Sequence, residues 1–112
     1  MKKVEAILRN EKLEDVKEAL ESVGIIGMTI TEVQGRGRQK GFVRQWRGAT
    51  YVADIVPKIK IEAVVEDRDL DRVVDTIIKS AWTGDTCDGK IFVLPVEQVI
   101  RVRTGERGRD AI

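Results

Sequence analysis

The chain has 112 residues, 42% apolar and 35% charged, which describes one globular domain with room for a single two-layer core. Its 20 Lys plus Arg against 19 Asp plus Glu give a net charge of +1, which argues against holding nucleic acid by bulk charge. The absence of histidine and the single cysteine, Cys87, exclude imidazole catalysis, an internal disulfide and a thiolate zinc cluster.

Lys3 to Leu8 reads as a short apolar strand. Asn10 is placed to cap a helix whose Leu13, Val16, Leu20 and Val23 recur at helical spacing, with Gly24 to end it. Met28, Ile30 and Val33 then alternate, mostly with period two. Lys58 to Val65 alternates more cleanly, and Leu70, Val73, Val74, Ile77, Ile78 and Ala81 form a strong helical stripe. Ile91-Phe92-Val93-Leu94 is a buried-type strand stopped by Pro95, and Val99 to Arg103 is expected to form a last short strand. No apolar run approaches the ~18 residues of a membrane span, and Met1-Lys2-Lys3 leads straight into patterned sequence. A small cytosolic domain is expected.

The order β-α-β-loop-β-α-β predicts an α+β, ferredoxin-like βαββαβ sandwich, with two helices on one face of an antiparallel sheet. Residues such as Val4, Ile59 and Ile61 are not expected all to face two helices. The second sheet face is therefore expected to be covered by other copies of the chain.

Between Gln34 and Val56 no period is legible, although connections in compact domains run to only ~4–6 residues. From Val33 to Ala53 there is no acidic residue, while Arg36, Arg38, Lys40, Arg44 and Arg47 are basic. Four of the ten glycines and three of the five aromatics, Phe42, Trp46 and Tyr51, fall in this stretch. A positive, Gly-hinged, aromatic-tipped loop in a neutral chain suits an anion or a partner surface better than idle solvent.

Gly84-Asp85-Thr86-Cys87-Asp88-Gly89-Lys90 matches G-x-x-x-x-G-K, but Ile91 stands where Ser or Thr would hold magnesium. The segment also runs from helix to strand, the reverse of a P-loop. Its glycines and Lys90 still suit an anion, while Asp85 and Asp88 are expected to act as turn formers. Gly35 to Gly41 is not a dinucleotide fingerprint, because Lys40 stands where glycine is needed. Arg101 and Arg103, two apart on the expected strand, form a third basic element suited to phosphate.

These residues together carry a resemblance. Thr29 to Lys40 (TITEVQGRGRQK), Arg47 to Tyr51, Pro57-Lys58, Thr83-Gly84, Asp88 to Val93 and Arg101 to Glu106 resemble the PII nitrogen-regulatory signal transduction proteins along the whole chain. The resemblance implies one domain, residues 1–112, with a flexible T-loop at about 37–55, a B-loop at about 82–90 and a C-terminal loop at about 102–112. It implies a homotrimer that binds ATP or ADP between subunits and, with Mg-ATP, also 2-oxoglutarate. Such a protein acts as a sensor and not as an enzyme, with any ATPase activity slow and incidental. Its T-loop would act on an ammonium transporter, glutamine synthetase or other nitrogen regulators. It would bind no nucleic acid directly and reach a membrane only through a transporter.

The resemblance also implies roles for residues. Gly37, Arg38 and Gln39 would line the nucleotide cleft, with Gln39 holding magnesium beside the phosphates. Cys87, Asp88, Gly89 and Lys90 would form the phosphate-binding B-loop, with Cys87 in place of a usual glycine. Arg101 and Arg103 would reach the phosphates from the neighbouring subunit, while Ile7, Thr29, Glu62 and Val64 would line the adenine pocket. Gln39, Lys40, Gly41, Lys58 and Cys87 would contact 2-oxoglutarate, Lys58 at its distal carboxylate. Phe42, Arg44, Trp46, Arg47 and Tyr51 would meet the partner, Arg47 entering a transporter pore. Tyr51 is the possible nucleotidylation site, whereas Ala49 replaces a phosphorylatable serine.

Three rival readings are weaker. An enzyme such as an ATPase would need Asp85 or Asp88 as a general base near the phosphates, but acids in a Gly-rich turn are more often turn formers. An RNA-binding module of this strand order stacks bases on central-strand aromatics, and Ile59, Ile61 and Ala63 offer none. A scaffold without ligands leaves the three basic elements unexplained.

Overall fold

A computed structural model describes residues 1–36, 42–46, 49–53 and 55–112, the two central stretches as backbone. Strand β1 (Lys2–Leu8) leads through a 3₁₀ turn, Asn10–Lys12, into helix α1 (Leu13–Ser22). Strand β2 (Thr29–Gly35) follows, then β3 (Phe42–Trp46), β4 (Ala49–Ala53) and β5 (Val56–Val65). Helix α2 (Leu70–Ala81) and strand β6 (Gly89–Pro95) complete the domain, and a 3₁₀ turn, Gly108–Ala111, lies near the C-terminus.

The main sheet has the antiparallel order β2-β5-β1-β6, the expected ferredoxin-like arrangement. β3 and β4 form a separate two-stranded hairpin in the stretch where no period was legible. Register explains the core. Val4↔Ala63, Ala6↔Ile61 and Leu8↔Ile59 are opposed across β1 and β5, so all six share one sheet face. All six are buried, and all but Ala63 cluster with Val16 and Leu20 of α1 and Val73, Ile77 and Ala81 of α2. Each fully buried aliphatic side chain contributes ~1.5–3 kcal/mol by leaving water.

That register corrects one expectation. Val4, Ile59 and Ile61 do all face the two helices, because the helices lie over the two central strands. The open face is instead made of the alternate residues. Lys3, Glu5, Ile7, Lys58, Lys60, Glu62 and Val64 lie there half-buried, beside the exposed Phe92 and Leu94. Ile30 and Val33 fall on opposite faces, which is why their spacing broke period two.

The ends of α1 split the two capping expectations. Gly24 takes φ +88°, its N–H bonds Glu21 O, and the Ile25 N–H bonds Leu20 O, so the helix closes on glycine as expected. Asn10 makes no side-chain cap bond. The chain leaves β1 with Arg9 extended and turns at once into 3₁₀ geometry, closed by Lys12 N–H to Arg9 O at 3.1 Å.

The expected last strand does not form. Val99 to Gly108 is a tight hairpin turn with one bridge, Ile100↔Arg107, and bonds from Gly105 N–H to Arg101 O and Gly108 N–H to Val99 O. Residues 102–104 turn, so strand alternation does not put Arg101 and Arg103 on one face. Gly105 and Gly108, both with positive φ, bend the chain back before a strand can extend. Among the described residues, no helix is long and apolar enough to cross a membrane.

Candidate functional site

The segment between α2 and β6 is a loop built around Asp88. One carboxylate oxygen accepts the Thr83 N–H at 2.7 Å and the Gly84 N–H at 2.9 Å. The other accepts the Thr83 hydroxyl and Arg9 Nε, the latter at 3.2 Å. These donors, the Thr83 hydroxyl first, lower the Asp88 pKa from 3.8 to about 2. Asp85 accepts the Thr86 N–H at 2.6 Å, and the Asp88 N–H reaches Asp85 O at 3.3 Å. Both acids therefore act as turn formers, and the helix-to-strand context is again the reverse of a P-loop.

The loop is joined to the sheet at three points. Gly89 has φ +112°, and a Cβ there would lie 1.9 Å from Ile7 O, so only glycine lets β6 begin against β1. Lys58 Nζ donates to Cys87 O, linking β5 to the loop. Arg9, just past β1, holds Asp88 and lies 3.5 Å from Asp85. Sequence reasoning missed Arg9, because nothing local marks a basic residue as the partner of acids nearly eighty positions away.

On the open face, Ile7 is opposed by Lys60 on one side and Lys90 on the other. Lys58, Cys87, Gly89, Lys90 and Ile7 therefore gather at one end of the sheet. Thr29, Glu62 and Val64 gather toward the other end, where Thr29 and Glu62 are cross-strand partners. They line a cleft of about 510 Å³ with Lys3, Met28, Val99 and Ile112. Lys3 Nζ lies 3.3 Å from Glu62, and Lys60 Nζ lies 3.4 Å from it. Partial burial works to raise the Glu62 pKa, but these two ammonium groups outweigh it and the pKa is lowered.

The arginine turn also belongs to that second end. It follows Pro95, at the opposite end of β6 from Gly89, a separation of roughly 20 Å for seven strand residues. Val99 and Ile112 line the cleft, and Arg109 Nε lies 3.1 Å from Glu66, just past β5. Arg101 bonds Glu106 at 3.0 Å, and Arg103 is exposed. The fold therefore does not gather all the basic elements at one end of a single chain.

Gly37, Arg38, Gln39, Lys40, Gly41 and Arg47 lie outside the described residues. Phe42, Arg44, Trp46 and Tyr51 lie on the β3–β4 hairpin, their side chains outside the described part. Among the described residues no group of three or more His, Cys, Asp or Glu could hold a metal ion. The ligand expected for magnesium, Gln39, is not among them.

Comparison with known proteins adds to this geometry. The family model described as nitrogen regulatory protein P-II matches residues 1–106. "Nitrogen regulatory protein P-II 2" of Methanothermobacter thermautotrophicus is 58% identical over all of this chain and 97% of its own length. "Nitrogen regulatory protein P-II" of Azospirillum brasilense is 57% identical over the full length of both, and that of Pasteurella multocida is 55% identical over the same span.

Proposed function

We infer the function of this chain from its kinship: it belongs to the nitrogen regulatory protein P-II family, a family of regulators. We propose that it is a cytoplasmic sensor that binds ATP or ADP in clefts between the subunits of a homotrimer. With Mg-ATP in place it would also bind 2-oxoglutarate. Its T-loop then acts on an ammonium transporter, glutamine synthetase or other nitrogen regulators.

One observation carries this reading. The residues suited to one nucleotide are divided between the two ends of a sheet face that carries mixed charge and exposed Phe92 and Leu94. Lys90 and the glycine-held loop suit phosphates at one end, and the cleft beside Thr29 and Val64, apolar on one side and edged by Lys3 and Glu62, suits a base at the other. A second copy docked on the open face could bring one end against the other, completing a cleft that one chain lacks.

In that cleft Lys90, Arg38 and the neighbour's arginines offset phosphate charge. Gln39 offers a hard oxygen suited to magnesium, and Mg-ATP, when bound, supplies the cation charge beside which a dicarboxylate can sit. Lys58 pairs with the far carboxylate. ATP and ADP compete for the same contacts, and their differential effect on the T-loop shifts which conformation a partner meets.

Titration calorimetry with Mg-ATP and Mg-ADP tests the nucleotide reading. Mutually exclusive binding, with ATP turnover far below ~1 per second, supports a sensor. No binding of either nucleotide refutes it, and turnover at or above that rate makes the chain an enzyme.

A further inference from the structure

The 83–90 loop poses an electrostatic problem for the role just given to it. Asp85, Asp88 and Lys90 together sum to one negative charge, and a polyphosphate beside two uncompensated carboxylates meets like-charge repulsion. Arg9 addresses both acids. Its Nε lies 3.2 Å from Asp88 Oδ1, and its Nη2 lies 3.5 Å from Asp85 Oδ2. Its remaining nitrogen lies 3.6 Å from Glu11; the Glu11 and Asp85 side chains are both largely exposed, at 68% and 66%, so Asp88, at 22%, is the least solvated of its three partners. Arg9 itself is only 20% exposed, so its attraction is less screened than that of a surface pair. A planar fork spans two carboxylates in a way that a lysine ammonium, a point charge, does not.

Resting on the reading that this loop receives phosphates, we propose that Arg9 is a positioning residue for nucleotide binding. It ties the carboxylates of Asp85 and Asp88 to the end of β1 and cancels their excess charge. Gly89 and Lys90 can then meet an anion from a loop whose two carboxylates are already paired. Arg9 acts through the two aspartates and needs no contact with the nucleotide.

The test is calorimetry on the full chain with Mg-ATP and Mg-ADP. It compares wild type, Arg9→Met, Arg9→Lys, Asp85→Asn and the double variant Arg9→Met with Asp85→Asn. Arg9→Met weakens Mg-ATP on the order of tenfold, the scale of one charge-assisted bond, and weakens Mg-ADP less. Arg9→Lys recovers part of that loss, and so does Asp85→Asn in the Arg9→Met background. A purely structural role has no reason to give recovery by removing a charge. Asp85→Asn alone, which keeps the Asp88 contacts and so the loop, tightens Mg-ATP, and it decides the matter if Arg9→Met does not fold. Unchanged Mg-ATP affinity in Arg9→Met, equal losses for the two nucleotides, or weaker binding in Asp85→Asn overturns the role of Arg9. A wild type that binds neither nucleotide overturns the functional reading itself.

Discussion

Replacing Gly89 by alanine strikes the joint between the 83–88 loop and the sheet. The residue sits at φ +112°, where an L side chain is strained by ~1–3 kcal/mol. The added Cβ would also lie 1.9 Å from Ile7 O and 3.2 Å from Leu8 Cα. Both are backbone atoms, so no rotamer change relieves the clash. The start of β6 must move away from β1, loosening the Leu8↔Gly89 and Ile7↔Lys90 pairings. Losing two ladder bonds adds ~1–3 kcal/mol, for a total of roughly 2–6 kcal/mol. For a chain of this size, that lowers the thermal midpoint by ~10 °C or more. Circular dichroism melts at matched protein concentration measure it, since the midpoint of the proposed trimer would depend on concentration. A midpoint within about 2 °C of wild type would mean that the approach of β1 does not require glycine here.

Leu20→Ala empties a fully buried position between α1 and the sheet and should cost ~2–5 kcal/mol, read as a lower urea midpoint with unchanged slope. Asp88 is more acidic folded than unfolded, so its contribution is present above pH 3.8 and fades as pH falls toward about 2. Asp88→Asn should therefore lower the thermal midpoint near neutrality, and the difference from wild type should shrink across that acid window. Lys58→Ala should weaken 2-oxoglutarate more than Mg-ATP, and normal 2-oxoglutarate binding in calorimetry would remove Lys58 from the site. Lys90→Ala and Arg38→Ala should both weaken Mg-ATP on the order of tenfold.

Elements with a strong period were legible in the sequence. The stripe from Leu70 to Ala81 is helix α2 residue for residue, and the alternation from Lys58 to Val65 falls within β5. Both patterns are set by burial against one core. Where burial is partial, the pattern failed. Val99 to Arg103 has the apolar alternation of a strand but pairs only through the single bridge Ile100↔Arg107, since the chain turns at 102–104 and back at Gly105. Among the described residues the β3–β4 hairpin is a two-stranded sheet apart from the main one, so its composition shows no core-facing period. Asn10 has the chemistry of a cap but follows an extended Arg9 into a 3₁₀ turn.

The site divides in the same way. Gly89 and Asp88 were legible because a tight loop demands particular residue types at fixed offsets. Arg9 was not, because its partners are distant in sequence and only the antiparallel pairing of β1 with β6 brings them together. The separation of Lys90 from Arg101 likewise follows from the length of β6, a property of the fold and not of either motif.

In the proposed sensor, nucleotide state gates 2-oxoglutarate binding. Titrating 2-oxoglutarate into the protein alone, with Mg-ADP, and with Mg-ATP tests it most directly. Heat of 2-oxoglutarate binding is expected only with Mg-ATP, and is lost when magnesium is chelated. Binding of 2-oxoglutarate equally well in all three conditions, or in none while Mg-ATP itself binds, would contradict it.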